Sequence, residues 1–139
     1  MMVGDMAMPK ARKRVLVVDD EADAREFVRS VVENLGFDTL EAIDGTQGLE
    51  VARASKPDLI VLDVQMPKRD GYAVFSELRK DGATKAIPVV MLTASGKRTG
   101  IKIDANDMGQ YLGSEPEAYV DKPVDPTVLG DTIVRLLGD

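Results

Sequence analysis

The sequence predicts an α/β fold: a doubly wound, five-stranded parallel sheet with helices on both faces. Two observations carry this expectation. Short apolar runs alternate five times with segments of helical period, and the first, third and fourth runs are apolar throughout rather than at every second residue. A strand that is apolar on both sides must be covered on both sides, which is the situation of strands in a parallel sheet wrapped by crossover helices. A third observation bears on function: two of these runs end in aspartate, at Asp19 and Asp63.

Residues 14–19 read as a buried strand ending in acid, with Asp20 directly after it. From Glu21 the period changes. Ala24, Phe27, Val28, Val31, Val32 and Leu35 recur at helical spacing, with Arg25, Glu26, Arg29 and Glu33 on the other face. Gly36 stands where a helix end favours a left-handed residue. Residues 37–42 alternate and are polar enough for an edge strand. Asp44 can cap a helix running through Leu49 and Val51 to about Ser55, which Pro57 forbids from continuing. Residues 58–63 form the third strand, closing on Asp63. Residues 71–80 are helical, with Val74, Phe75 and Leu78 inward, and residues 87–92 form the fourth strand. The fifth strand lies at 118–121. Asp125 then caps a last helix with Pro126 at its first position and Val128, Leu129, Ile133, Leu136 and Leu137 as its buried face.

Between the fourth and fifth strands, Gly96, Gly100, Gly109 and Gly113 weaken any helix they fall in. Ile101, Ala105, Met108 and Leu112 recur at a spacing that can dock one short helix, and Pro116 stops it before the fifth strand. The expectation is a short helix within residues 100–112, preceded by a mobile loop at 95–99.

The chain's 139 residues suit one domain, and its 44% apolar and 30% charged content is ordinary for a globular protein. There is no cysteine and no histidine. That removes disulfides, thiolate sites, the commonest metal ligand and the commonest general base, so chemistry must run on carboxylates, hydroxyls and lysines. A net charge of -6 argues against a nucleic-acid partner. Lys10, Arg12, Lys13 and Arg14 read as a solvated leader into the first strand. No run is long enough to span a membrane and the start lacks a signal-peptide core, so a cytoplasmic setting is expected. Residues 1–11 are expected to be a flexible leader and residues 12–138 the domain. Because the last helix is followed only by the chain's end, the domain is expected to stand alone.

In an open parallel sheet, ligands bind beyond the carboxyl ends of the strands, where strand order reverses. Asp19, Asp20 and Asp63 lie at such ends. If their strands are neighbours, each like-charged pair costs about 3 kcal/mol at roughly 5 Å and an effective dielectric near 20. A cation relieves that repulsion, and an all-oxygen ligand set with no His or Cys points to Mg2+. On this ground Asp20→Asn or Asp63→Asn is expected to raise the metal-free melting temperature. Thr93 and Lys122, near the ends of the fourth and fifth strands, add a hydroxyl and a fixed cation to the same rim. A phosphoryl group on Asp63 needs such partners. Ala94, next to Thr93, is small enough to leave access for a phosphodonor.

The sequence resembles the receiver domains of two-component response regulators. The resemblance lies in Val-Val-Asp-Asp-Glu at 17–21, Leu-Asp-Val-Gln-Met-Pro-Lys-Arg-Asp-Gly at 62–71, Leu-Thr-Ala at 92–94 and Val-Asp-Lys-Pro at 120–123. It implies a flavodoxin-like sheet of order 2-1-3-4-5, with Asp63 as phosphoacceptor. It implies Asp20 as a direct Mg2+ ligand, Asp19 as a ligand through water and the backbone carbonyl of Gln65 as a third ligand. Thr93 and Lys122 would bind the phosphoryl oxygens, Tyr119 would be the aromatic that swings inward when Thr93 moves, and Gln65 and Ser95 would tune dephosphorylation. The same resemblance implies a cis Lys122-Pro123 bond. The implied partners are a histidine kinase or histidine phosphotransfer protein and an unnamed downstream protein, with the chain a monomer or weak homodimer. It would not be an enzyme beyond its own phosphorylation and dephosphorylation. One departure is plain: Thr93 and Lys122 are 29 positions apart (122 minus 93), longer than is usual in the family, with the extra length on the face that normally docks partners.

Two other readings compete. An aspartyl-phosphate phosphohydrolase would want an acid two residues after the nucleophile, where this chain has Gln65, and a cap domain. A binding module that is never phosphorylated would not need Asp20, Asp63, Thr93 and Lys122 together.

Overall fold

A computed structural model describes residues 12–66, 71–94 and 116–138. The leader at 1–11, the helix and loop expected within 95–112, and Ser95 lie outside the described residues. In chain order the elements are β1 (Arg14–Val18), α1 (Ala22–Asn34), β2 (Asp38–Ala42), α2 (Gly45–Ser55), β3 (Leu59–Asp63), α3 (Gly71–Lys80), β4 (Val89–Ala94), β5 (Ala118–Lys122) and α4 (Pro126–Leu137). The five strands form one sheet in the order β2-β1-β3-β4-β5, and every neighbouring pair is parallel. The order reverses at β1 and β3, so the strand ends carrying Asp19 and Asp63 are neighbours.

Alternation along the strands builds two cores from continuous apolar runs. Leu16, Val18, Ile60, Leu62 and Met91 face α2 and α3, where Leu49, Val74, Phe75 and Leu78 meet them. Val15, Val17, Val61, Val90 and Leu92 face the other way, against Val28 and Val32 of α1 and Leu129 and Ile133 of α4. β2 is the more polar edge strand, with only Ala42 fully buried.

Local chemistry explains the element ends. Gly36 takes φ +96 just past α1, and its N–H bonds the Glu33 carbonyl at 3.0 Å. At the start of α2 the Asp44 carboxylate accepts from the Gln47 N–H at 2.8 Å, while the Gln47 side chain accepts from the Ile43 N–H at 2.7 Å. The arrangement is like a capping box, except that the back-bond from Gln47 reaches the N–H of Ile43, one residue before the cap. Asp44→Ala should therefore cost about 1 kcal/mol, and Asp44→Asn only a few tenths, in urea denaturation. At α4 the Asp125 carboxylate accepts from the N–H groups of Thr127 and Val128.

Several expectations are corrected. β4 runs from Val89 to Ala94, not 87–92. Ile87 gives its N–H to the Thr84 carbonyl in a turn, and Pro88 has no N–H to give to a ladder. Thr93 therefore lies inside the strand. β2 begins at Asp38 because the Phe37 N–H closes on the Val32 carbonyl, and β5 extends to Lys122. Phe27, Leu35 and Val128 belong to the predicted buried helix faces, yet they are 40%, 37% and 50% exposed. The apolar stripe on α1 is wider than the strip of helix that reaches the sheet, so only Val28 and Val32 are fully covered. The Lys122-Pro123 bond is cis, as expected.

Candidate functional site

Three carboxylates converge at the carboxyl edge of the sheet. Asp19, Asp20 and Asp63 each offer an oxygen, and these oxygens lie within 4.8 Å of one another. β1 delivers Asp19 and Asp20, and β3 ends on Asp63. Asp19 and Asp63 are only 1% and 2% exposed, whereas Asp20 faces solvent. One oxygen of Asp19 accepts the Glu21 N–H at 3.0 Å. Its other oxygen is the one buried side-chain N or O atom among the described residues with no hydrogen-bond partner. Arg25, on the first turn of α1, donates to the Asp19 backbone carbonyl at 2.8 Å and pairs with Glu41 at 3.2 Å. It thereby fixes the strand end that presents the acids, a role the sequence reading did not assign.

Lys122, the last residue of β5, places its Nζ 2.8 Å from Asp63 Oδ1, and the same oxygen accepts the Gln65 N–H at 3.3 Å. Burial holds the Asp63 carboxyl above its ordinary pKa despite the lysine. Burial works against the Lys122 charge as well, yet the hydrogen bond and charge of Asp63 outweigh it and raise the lysine too. Asp63 shifts upward because burial costs its charge more than one cation restores, and Lys122 shifts upward because the neighbouring carboxylate favours its charged form.

Thr93 is brought to the same rim but turned elsewhere. It is 2% exposed, and its hydroxyl donates to Asp121 Oδ1 at 3.0 Å rather than toward Asp63. In the ladder Leu92 stands opposite Asp63, and Thr93 stands opposite Asp121. Tyr119 pairs with Met91 one step back on that face and packs, partly buried, on the core under α2 and α3. Gly71, inside a recognised motif, also has a part that went unseen: its N–H bonds the Val64 carbonyl at 2.7 Å, and its Cα comes close to the Asp63 backbone. Beside the acids opens a hollow of about 410 Å³, apolar where Phe27, Val28, Leu92 and Pro123 line it and acidic at Asp19 and Glu21.

Comparison with known proteins decides the family. The response regulator receiver domain model matches residues 15–134. The chain belongs to that family. Among solved structures, this receiver is similar to the chemotaxis protein CheY4 of Vibrio cholerae, with TM-score 0.74, 28% identity, and coverage of 91% of this chain and 99% of that one. The receiver domain of Francisella response regulator 1452 gives TM-score 0.73 and 30% identity, over 91% and 97% of the two chains. Among curated proteins it is 39% identical over 122 residues to the DNA-binding response regulator MtrA of Mycobacterium bovis, covering 88% of this chain and 49% of that protein. It is 38% identical over 112 residues to the DNA-binding dual master transcriptional regulator RpaA of Synechocystis, covering 81% and 44%. The receiver spans about half the length of the curated relatives it matches.

Receiver domains bind Mg2+ through acidic residues, and the donor set here fits a hard divalent cation. An all-oxygen cluster with one buried, unpartnered carboxylate oxygen is what such an ion would satisfy. The cost of these acids without metal is measurable. Asp19 is pushed up to about 6, chiefly by burial and then by the charges of Asp63 and Asp20, against the opposing Glu21 N–H and Lys122. A folded-state pKa above the unfolded value means that the native chain keeps a proton the unfolded chain has already lost. Stability from this group is therefore greatest at low pH and falls as pH rises from about 4 through about 6, by up to about 3 kcal/mol. The metal-free receiver should lose stability relative to Asp19→Asn across that window, and saturating Mg2+ should shrink the loss. Parallel pH profiles for the two proteins in EDTA would contradict this.

Proposed function

We propose that this receiver accepts a phosphoryl group on Asp63 in a Mg2+-dependent reaction and passes the signal on through protein contacts. The observation that carries the reading is the Asp63 carboxylate held by Lys122 at 2.8 Å inside a cluster of three acids. Asp20 is proposed as the direct Mg2+ ligand together with Asp63, the Gln65 backbone carbonyl as a further ligand, and Asp19 as a ligand through water. A bound Mg2+ would neutralise the carboxylates and the phosphoryl oxygens. An Asp63 oxygen attacks phosphorus, the bond from phosphorus to the donor nitrogen or acyl oxygen breaks, and the electron pair leaves with the donor. Lys122 covers one phosphoryl oxygen and the Thr93 hydroxyl another. Tyr119, on the same face as Thr93, is the aromatic proposed to follow it.

As in its family, the proposed donor is a phosphohistidine on a kinase or phosphotransfer protein, and this chain has no histidine that could serve instead. The half-apolar hollow beside the acids suits a docking helix from that partner. Residues 12–138 are proposed as the phosphoacceptor unit, and the negative charge of the chain favours protein over nucleic-acid contacts by this unit. The names of MtrA and RpaA carry DNA binding, and both are about twice this length, so the expectation of a stand-alone protein gains no support from them. No helix among the described residues is long and apolar enough to cross a membrane.

The test is incubation with a small acyl phosphate, with Mg2+ and with EDTA, followed by intact mass. One phosphoryl adduct that needs Mg2+ is expected. Catalytic consumption of the acyl phosphate without an adduct would favour a phosphohydrolase, and no reaction would favour a binding module.

A further inference from the structure

Resting on the reading that Thr93 binds the phosphoryl group, we infer that Asp121 is a positioning residue that holds Thr93 in the unphosphorylated state. A threonine hydroxyl has one proton and can give it to one strong acceptor at a time. Here that proton goes to a carboxylate, at 3.0 Å, from a side chain that is 2% exposed. The pairing is built into the sheet: Thr93 and Asp121 are ladder partners on adjacent parallel strands, so their side chains leave the same face. Asp63 is the ladder partner of Leu92, whose side chain leaves the opposite face from that of Thr93. For the hydroxyl to reach a phosphoryl oxygen on Asp63, Thr93 must change rotamer, and a β-branched residue has few to choose from. Asp121 and the phosphoryl group therefore compete for one proton donor. The bond to Asp121 sets how readily phosphorylation recruits Thr93.

Asp121 itself is exposed at the edge strand, where valine is well tolerated, so Asp121→Val removes the acceptor without opening the core. Graded acyl phosphate with Mg2+, read by intact mass, gives the concentration at which half the chain is phosphorylated. Asp121→Val should lower that concentration by about 3- to 10-fold, the range expected for losing one partly exposed charge-assisted hydrogen bond from the resting state. Asp121→Asn, which keeps an acceptor but loses the charge, should fall between. In a Thr93→Val background the Asp121→Val shift should vanish. An equal shift in both backgrounds would mean that the carboxylate acts by charge alone, and no shift in either would mean it does nothing; each overturns the inference. An independent reading needs no phosphorylation: three-bond couplings to the Thr93 methyl should report one χ1 rotamer in the parent and an average in Asp121→Val. Identical couplings overturn the inference even if Asp63 is phosphorylated. A parent that takes no phosphoryl group defeats the functional reading, while the couplings still decide the Asp121 contact.

Discussion

Asp63→Asn should abolish the Mg2+-dependent phosphoryl adduct altogether, because the amide oxygen is no longer an anionic nucleophile at the only buried carboxylate paired with Lys122 among the described residues. The same substitution should raise metal-free stability. It removes a charge whose burial raises its pKa and ends the repulsion from Asp20 and Asp19. Against this, Lys122 loses an ionic partner, although an amide oxygen can still accept from its Nζ. The net gain should be about 1 kcal/mol, at the low end of the 1 to 3 kcal/mol that acid repulsion alone suggests. Asp20→Asn, at an exposed acid with no such lysine, tests the repulsion more cleanly. If both variants melt at or below the parent in EDTA, convergence of the acids carries no energetic cost.

Among the described glycines, Gly71→Ala should be the most damaging single-methyl change. A Cβ there would stand 2.5 Å from the Asp63 carbonyl oxygen and 2.7 Å from the Val64 Cα. Both are backbone atoms of the segment that carries Asp63, so no side chain can swing aside. Overpacking of this kind costs about 1 to 3 kcal/mol, and the upper end is expected because β3 or α3 must move as a unit. By contrast, an added Cβ at Gly82 meets nothing within 4 Å. Gly82→Ala is therefore the control in urea denaturation. If Gly71→Ala loses no more stability than Gly82→Ala, the close approach of α3 to Asp63 is not a constraint.

Much of this was legible in the sequence because the signals are local. Continuous Val/Ile/Leu runs, caps at Asp44 and Asp125, and Gly36 beyond α1 each depend on a few neighbouring residues, and the structure places them as expected. The strand-end acids were legible for the same reason. What was not legible depends on distant partners. The ladder pairs Thr93 with Asp121 across 28 positions, and no local pattern states that register. Arg25 read as a solvated helix residue, while its guanidinium in fact holds the Asp19 carbonyl. Periodicity assigned Phe27 and Val128 to buried faces because it reports which side of a helix is apolar, not how much of that side the sheet covers.

The phosphorylated residue can be identified directly. Reduction of the acyl phosphate adduct with borohydride converts a phosphorylated aspartate to homoserine, which tandem mass spectrometry of the peptides can locate. Homoserine is expected at position 63, formed only when Mg2+ was present during phosphorylation. Homoserine at position 19 or 20, or an adduct that survives reduction on a serine or threonine, would contradict that expectation.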